Sequence, residues 1–478
     1  MRKKTKIIAT LGPSTTSPKI LTELIAAGTD VFRLNLSHAK IEDAKGIINN
    51  LKASSEKLKR PVAILIDLQG HKIRIKGFSN KQFIDLKSNQ NFILDNALKD
   101  YEGDDSKVGI TYKDLHKNIK INDEILLSDG LIKLKINRIK SNKIHTTVLR
   151  GGRLLPFQGL NKKGGGLSLK GLTKKDIADL KKAIKLDIDY IAVSFVRNKD
   201  DLIAVKKITD KKNIGLIAKI ERNEALENID SILEHSDGIL IARGDLGVEI
   251  GIELLPAVQD ELIGKAMDHD KLVIVATQMM ESMKTNRVPT RAEVFDVSNA
   301  ACSGVDAIML SAETAVGKHP IEVVQEACRI CDIAEKTSTK KIKTTNSGDS
   351  FHKIDQIIAM SAVYGADKSN VKAIAALTET GSTPLWMSRI QSLIPIYAMT
   401  VNEKTSRRIC LYRGVYSIRL DKIEHDHARA NKQVIKLMEK QGAVKKGDLV
   451  IITKGDLMGT SGGTNALKIV KVGKLLEV

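Results

Sequence analysis

Eight apolar runs of strand length, separated by stretches of helical spacing, leave this sequence few folds to choose from. In order they are KIIATLG (6–12), DVFRLNLS (30–37), VAILIDLQG (62–70), YIAVSFV (190–196), GLIAKIE (215–221), GILIARGD (238–245), LVIVATQM (272–279) and AIMLSAE (307–313). Consecutive apolar residues mark strands covered on both faces, and each run ends in polar or charged residues. Between most of them, stretches such as PKILTELIAAG and KKDIADLKKAIKL carry apolar residues at helical spacing. Eight strand-helix units predict an α/β fold, a (β/α)8 TIM barrel with its chemistry at the carboxyl ends of the strands.

About a hundred residues separate the third run from the fourth, far more than an ordinary βα loop. They alternate rather than run, as in QFIDL, NFILD, DEILLSDGLIKLKINRIK and KIHTTVLRGG, so an inserted all-β domain is expected, placed as a lid over the barrel mouth. After the last barrel helix, TSTKKIKTTNSGDS is a polar linker, and beyond it helix and strand patterns alternate as in a three-layer α/β domain. The expected limits are 1–70 with 166–336 for the barrel, 71–165 for the lid, 337–350 for the linker and 351–478 for the C-terminal domain. A chain of 478 residues is long enough for two to four such domains.

No apolar run approaches the roughly 18 to 20 residues of a membrane span, and the N-terminus lacks a signal peptide's apolar stretch, so a soluble cytoplasmic protein is expected. Four cysteines are too few for a disulfide framework. Cys328 and Cys331 form a C-x-x-C, but EACRICDIAEK reads as one amphipathic helix, with no second pair at zinc spacing. A net charge of +20 invites a nucleic-acid reading; scattered lysines and only 3% aromatic residues argue for a solvated basic surface instead, with no nucleic-acid partner. The positive field still gathers small anions.

Side chains two apart on a strand share a face roughly 6 to 7 Å apart. Lys219 and Glu221 therefore stand together at the end of the fifth run, with Asp245 ending the sixth beside them. Two converging carboxylates repel each other, and a magnesium ion resolves the repulsion. Lys219 then faces whatever the metal holds. A surface salt bridge plus an N-capping Asp245 is the plainer reading, but strand ends of such a barrel read as catalytic first. The second run places Arg33, Asn35 and Ser37 on one face, followed by His38, and an arginine there suits a phosphate or carboxylate. With Thr277 and Ser311 at later strand ends, the mouth suits a small, doubly anionic phosphorylated substrate.

The segments TKIIATLGPST, FRLNLSH, AKIERNE, ARGDLGVEIG, ATQMMESM and DAIMLSAETA, in this order, resemble the pyruvate kinase family from about residue 4 to the C-terminus. The tail resembles the bacterial form that responds to sugar phosphates or AMP. The resemblance implies transfer of a phosphoryl group from phosphoenolpyruvate to ADP, giving pyruvate and ATP, in a homotetramer. Glu221 and Asp245 match the magnesium ligands. Lys219 matches the lysine beside the transferring phosphoryl and the enolate, and Arg33 the phosphate-binding arginine. Gly244, Asp245 and Thr277 match the positions that hold the substrate carboxylate, with a water near Thr277 assigned to protonate the enolate. Asn35, His38, Arg74 and Lys163 match nucleotide contacts. Asn35, Ser37, Asp67 and the carbonyl of Leu68 match a monovalent cation site, usually filled by potassium.

Three departures from the family pattern matter. Potassium-requiring members resemble DTKGPEIRT, whereas this chain has Leu68, Gln69 and, in place of the glutamate, Lys72. A tethered ammonium supplies the same charge, so potassium is expected to be dispensable here. His71 stands where the family usually has proline. In the C-terminal loop, Ser382 stands where relatives often carry arginine, although Thr378, Thr380, Gly381, Ser382 and Thr383 still offer hydroxyls and N–H groups to a phosphorylated effector. Two rival readings are a magnesium-dependent aldolase or lyase acting on pyruvate or phosphoenolpyruvate, and a catalytically silent RNA-binding barrel.

Overall fold

Each of the eight runs is a strand of a closed parallel barrel in the computed structural model, which describes residues 3–167, 171–209, 212–337, 353–390, 392–424, 426–456 and 462–474. The barrel strands are Lys6–Thr10, Val31–Asn35, Ala63–Asp67, Tyr190–Val193, Gly215–Ile220, Gly238–Ala242, Leu272–Ala276 and Ala307–Leu310. They pair in sequence order, and the eighth closes onto the first with Lys6 opposite Ala307. Along the seventh strand, Leu272, Ile274 and Ala276 fill the interior while Val273 and Val275 pack under the surrounding helices. This two-sided burial is why the runs are apolar at consecutive positions.

Between the third and fourth strands the chain leaves the barrel and forms a six-stranded sheet with its own core around Phe78, Phe92, Ile125 and Val148. Its long hairpin, Ile132–Lys140 with Lys143–Arg150, alternates buried and exposed residues because only one face meets that core. The C-terminal domain has a five-stranded sheet, ordered Val415–Arg419, Ile396–Thr400, Val371–Leu377, Leu449–Gly455, Thr464–Lys471, in which only the last strand is antiparallel. One face of this sheet shares a core with the barrel interior, where Ile409, Leu411 and Tyr412 meet the layer containing Tyr190. The Tyr190 hydroxyl donates to the Arg408 carbonyl at 2.7 Å.

The helix Pro320–Thr337 extends one residue into the expected linker, because its buried stripe from Val323 to Ala334 holds it to the barrel almost to its end. The rest of the linker, 338–350, lies outside the described residues. Cys328 and Cys331 lie on this helix with free thiols. No helix among the described residues is long and apolar enough to cross a membrane.

Candidate active site

The carboxyl ends of the second to fifth strands converge on one buried ionic cluster. Arg33 grips Asp67 through Nε at 2.8 Å and Nη2 at 2.6 Å, and its Nη1 donates to the Thr10 hydroxyl. Lys219 Nζ lies 3.0 Å from Glu221 Oε1, 3.4 Å from Asp67 Oδ1 and 2.8 Å from Ser194 Oγ. Burial pushes the Asp67 carboxyl up, but Lys219 and Arg33 outweigh it and hold it below the usual range. Burial pulls the Lys219 ammonium down, and Asp67 and Glu221 more than reverse that. For Glu221, burial raises the pKa against the pull of Lys219, and Asp245 adds to the rise.

Asp245 is not on the sixth strand, as the apolar run implies. The strand ends at Ala242, and Arg243–Ile250 is a helix with Asp245 in its first turn, where the helix dipole favours a carboxylate. Lys72, just past the third strand, reaches across to it, with Nζ 2.8 Å from Asp245 Oδ1. The seventh strand ends at Ala276, and Thr277 follows at φ 71°, a left-handed conformation costly for a β-branched residue. Its hydroxyl accepts the Gly244 N–H at 2.8 Å and donates to the Ala276 carbonyl. Arg243 holds the strained turn by donating to the carbonyls of Thr277 and Ala276, while pairing with Asp296.

Arg33, Lys72, Ser194, Lys219, Glu221, Asp245 and Thr277 line a cavity of about 160 Å³ at the barrel mouth. Arg33, Lys72, Arg74 and Lys219 face only two carboxylates there, Glu221 and Asp245, and Thr277, Ser194 and Ser311 add hydroxyls. Asn35, Ser37 and His38 complete the near wall. Burial, with Arg74, Arg33 and Lys72, holds His38 below its ordinary pKa, so at neutral pH it is a hydrogen-bonding group rather than a cation. An excess of positive charge in a small polar cavity is built for a compact dianion.

The family described as "Pyruvate kinase, barrel domain" matches residues 2–324, and that described as "Pyruvate kinase, alpha/beta domain" matches residues 356–470. The chain belongs to the pyruvate kinase family. It is 46% identical over 476 residues to a protein named pyruvate kinase from Buchnera aphidicola subsp. Baizongia pistaciae, covering 98% of this chain and 99% of that one. Pyruvate kinase II of Salmonella typhimurium is 43% identical over 98% of this chain and 99% of its own length. Pyruvate kinase of Geobacillus stearothermophilus is 38% identical over 100% of this chain and 81% of its own length. The chain is therefore a phosphotransferase that moves the phosphoryl group of phosphoenolpyruvate to ADP, giving pyruvate and ATP. The aldolase or lyase reading falls with this membership, as does a silent RNA-binding barrel.

Within this pyruvate kinase, Lys163 does not line the cavity; it pairs with Glu124 on the inserted sheet at 3.4 Å. Arg74 lines the cavity while donating to the Phe157 carbonyl of the same domain. Asp67 and the Leu68 carbonyl lie behind the cavity wall with their acceptors in use, the latter by Ser194 Oγ at 2.7 Å. Asn35 Oδ1 accepts the Ser37 N–H. In the C-terminal domain, Gly381 at φ 87° opens the helix Ser382–Arg389 and donates to the Thr378 hydroxyl. Thr380 and Ser382 hydroxyls meet at 3.0 Å, while Thr383 is buried against Thr464. Thr383 is thus taken by the sheet.

Ser194, Arg243 and Arg222 were not singled out from the sequence. Ser194 directly follows the fourth strand, and the rule that strand ends carry chemistry would have found it. Arg243 and Arg222 flank the acidic residues within ARGD and IERN, but their partners are backbone carbonyls and, for Arg243, the distant Asp296, which leave no mark in the local sequence.

Proposed function

We propose that Glu221 and Asp245 hold a magnesium ion and that Lys219 and Arg33 position and neutralise the phosphoryl group as it moves. The placement of Lys219 between Asp67 and Glu221, buried and charged at the cavity floor, is the observation that carries this reading. The donor set fits magnesium: two carboxylates share the cavity, Asp245 disfavouring the charge of Glu221, and magnesium takes one or two carboxylates with substrate and water. When bound, magnesium supplies further positive charge to the phosphate oxygens.

Lys219 and Arg33 donate to oxygens on which charge builds during transfer, in a site where fixed donors need little reorganisation. The Gly244–Thr277 turn, with Asp245, orients the carboxylate end of phosphoenolpyruvate, and the strained Thr277 holds the water that protonates the enolate carbon. Asn35, His38, Arg74 and Lys163 contact the nucleotide, the last after the inserted domain approaches. Potassium fits less well. Asp67 already has two cationic partners, the Leu68 carbonyl has Ser194, and Asn35 has Ser37, so these acceptors form no open cage. Lys72 supplies the extra charge, at Asp245 rather than at Asp67.

The same reading makes the chain a cytoplasmic glycolytic homotetramer in which the Thr378–Ser382 loop, without the buried Thr383, takes a phosphorylated effector. It keeps the domain limits drawn above, with 337 moved to the barrel. Pyruvate release from phosphoenolpyruvate and ADP, coupled to NADH oxidation by lactate dehydrogenase, tests the catalytic part. Turnover is expected with magnesium and is lost on chelation; a rate indifferent to chelation would remove Glu221 and Asp245 from the proposed role.

A further inference from the structure

The chain crosses between barrel and inserted domain twice, and one side chain touches both crossings. Arg222 directly follows Glu221 and is only 5% exposed. Its Nη2 donates to the carbonyl of His71 on the outgoing crossing at 3.4 Å, and its Nη1 to the carbonyl of Leu167 on the returning one at 3.1 Å. Its guanidinium also sits over the Phe195 ring, 5.2 Å from the centroid, and the Phe195 N–H donates to Glu221 Oε2 at 2.8 Å. Its two arms thus tie one residue at the end of the fifth strand to both crossings.

The neighbouring residues complete the attachment. On the returning crossing, Gly164, Gly165 and Gly166 have φ of 81°, 73° and 84°, a run of left-handed backbone that glycine alone adopts without strain. Gly166 N–H donates to Glu224 Oε1 at 2.8 Å, and Gly164 N–H to the Glu249 carbonyl at 2.9 Å. On the outgoing crossing, Gly70 N–H donates to Asp176 Oδ1 at 3.1 Å. Asp176 also accepts from the Thr173 N–H at 2.9 Å, further along the returning chain, so it braces the same junction from the helix side, while Arg222 braces it from the strand that carries Glu221.

We propose that Arg222 is a positioning residue that clamps both crossings to the end of the fifth barrel strand, so that the inserted domain and Glu221 are held in one register. The fork of the guanidinium explains why arginine stands here: its separate donors reach two diverging carbonyls, which a lysine's single ammonium on a flexible stem does not match. The Nε of Arg222 is buried without a partner. Leaving a buried donor unmet is costly, so the side chain's orientation is set by the two carbonyls and not by its own complete satisfaction. The consequence for catalysis rests on the reading that the inserted domain brings contacts to the nucleotide.

Hydrogen exchange on the full chain tests the clamp, with R222M and R222K. In R222M, peptides containing Gly70 and those containing Gly164–Gly166 should both exchange about tenfold faster, the scale of one lost charge-assisted hydrogen bond. The barrel strand Gly215–Ile220 should keep its protection, which a merely destabilised protein would not. R222K keeps the charge and loses the fork, so it should leave at least one crossing fast; it also carries the test if R222M does not fold. Unchanged exchange at either crossing in R222M, or full restoration by R222K, overturns the proposal. In kinetics, KM for ADP should rise several-fold while KM for phosphoenolpyruvate holds. Faster exchange at both crossings with KM for ADP unmoved leaves the clamp standing and removes the nucleotide role of the inserted domain.

Discussion

Lys72 and Glu249 show how much a single side chain's surroundings decide. Lys72 Nζ lies 2.8 Å from Asp245, so the Lys72→Glu change puts a third carboxylate beside Asp245 and Glu221. We expect wild-type turnover in buffer free of potassium and sodium, and a Lys72→Glu enzyme about a hundredfold slower there, the scale of one lost electrostatic stabiliser, and restored by potassium chloride. A wild type that is inactive without potassium rejects this. Glu249 is buried, which pushes its carboxyl up to about 7, against its hydrogen bond from the Asn223 N–H and the charge of Arg222. Because the folded form binds the proton more tightly than the unfolded form, this group's contribution to stability is full below about pH 4.5. It is lost as pH rises through about 7. Glu249→Gln should flatten the fall in Tm between pH 5 and 8 measured without magnesium, and gain up to about 3 kcal/mol at pH 8. The identity of Lys72 could be read as a tethered cation from the sequence. Its partner could not, because Asp245 lies far away in the chain and only the fold brings it across.

At the scale of elements, the barrel carries a fourfold pattern on its amino-terminal face. Asp30, Asp189, Asp237 and Asp306 each precede an even-numbered strand. Each carboxylate accepts the N–H of the second residue of the odd-numbered strand before it: Ile7 at 2.9 Å, Ile64 at 2.9 Å, Leu216 at 2.7 Å and Val273 at 2.9 Å. The aspartates are visible in the sequence just before their apolar runs, but their use as caps on neighbouring strands follows from barrel closure. Helix starts were more legible. Thr290 and Glu293 form a capping box at the start of Arg291–Cys302, and Glu293 also accepts from the Ser282 N–H at 2.7 Å. Thr290→Ala should cost about 1 kcal/mol in urea unfolding, with kcat little changed. A loss much above that would mean the box also holds the Glu281–Lys284 turn. Gly70 marks the opposite case. At φ 67°, a Cβ there would lie 2.7 Å from Ser194 Cβ and 2.8 Å from the Phe195 ring. The close approach that requires glycine there comes from residues just past the neighbouring strand and leaves no mark in the local sequence.

At the scale of the molecule, three of the same aspartates become the docking face for the C-terminal domain. Arg407 pairs with Asp189 at 3.0 Å and with Asp187, Arg408 reaches Asp237 at 3.6 Å, and Arg389 pairs with Asp306. Burial raises the Asp189 carboxyl to about 6 even though Arg407 opposes it. Arg407→Leu would leave that carboxylate buried alone, costing about 3 to 5 kcal/mol at neutral pH. The cost should shrink towards pH 5, where Asp189 is protonated. Thermal unfolding at pH 5 and pH 8 checks it, and equal losses at both would mean that the Asp189 pair is not the source. By itself the sequence determined the eight strands, the break for an inserted sheet, the separate C-terminal domain and the residue types at the barrel mouth, because two-sided burial and strand-end polarity are local, periodic signals. Tertiary structure alone decided which charges meet: Lys72 at Asp245, Arg222 at both crossings, Arg407 at Asp189. Those contacts join residues far apart in the chain, often through backbone carbonyls, and depend on barrel closure and domain docking rather than on any pattern within a segment.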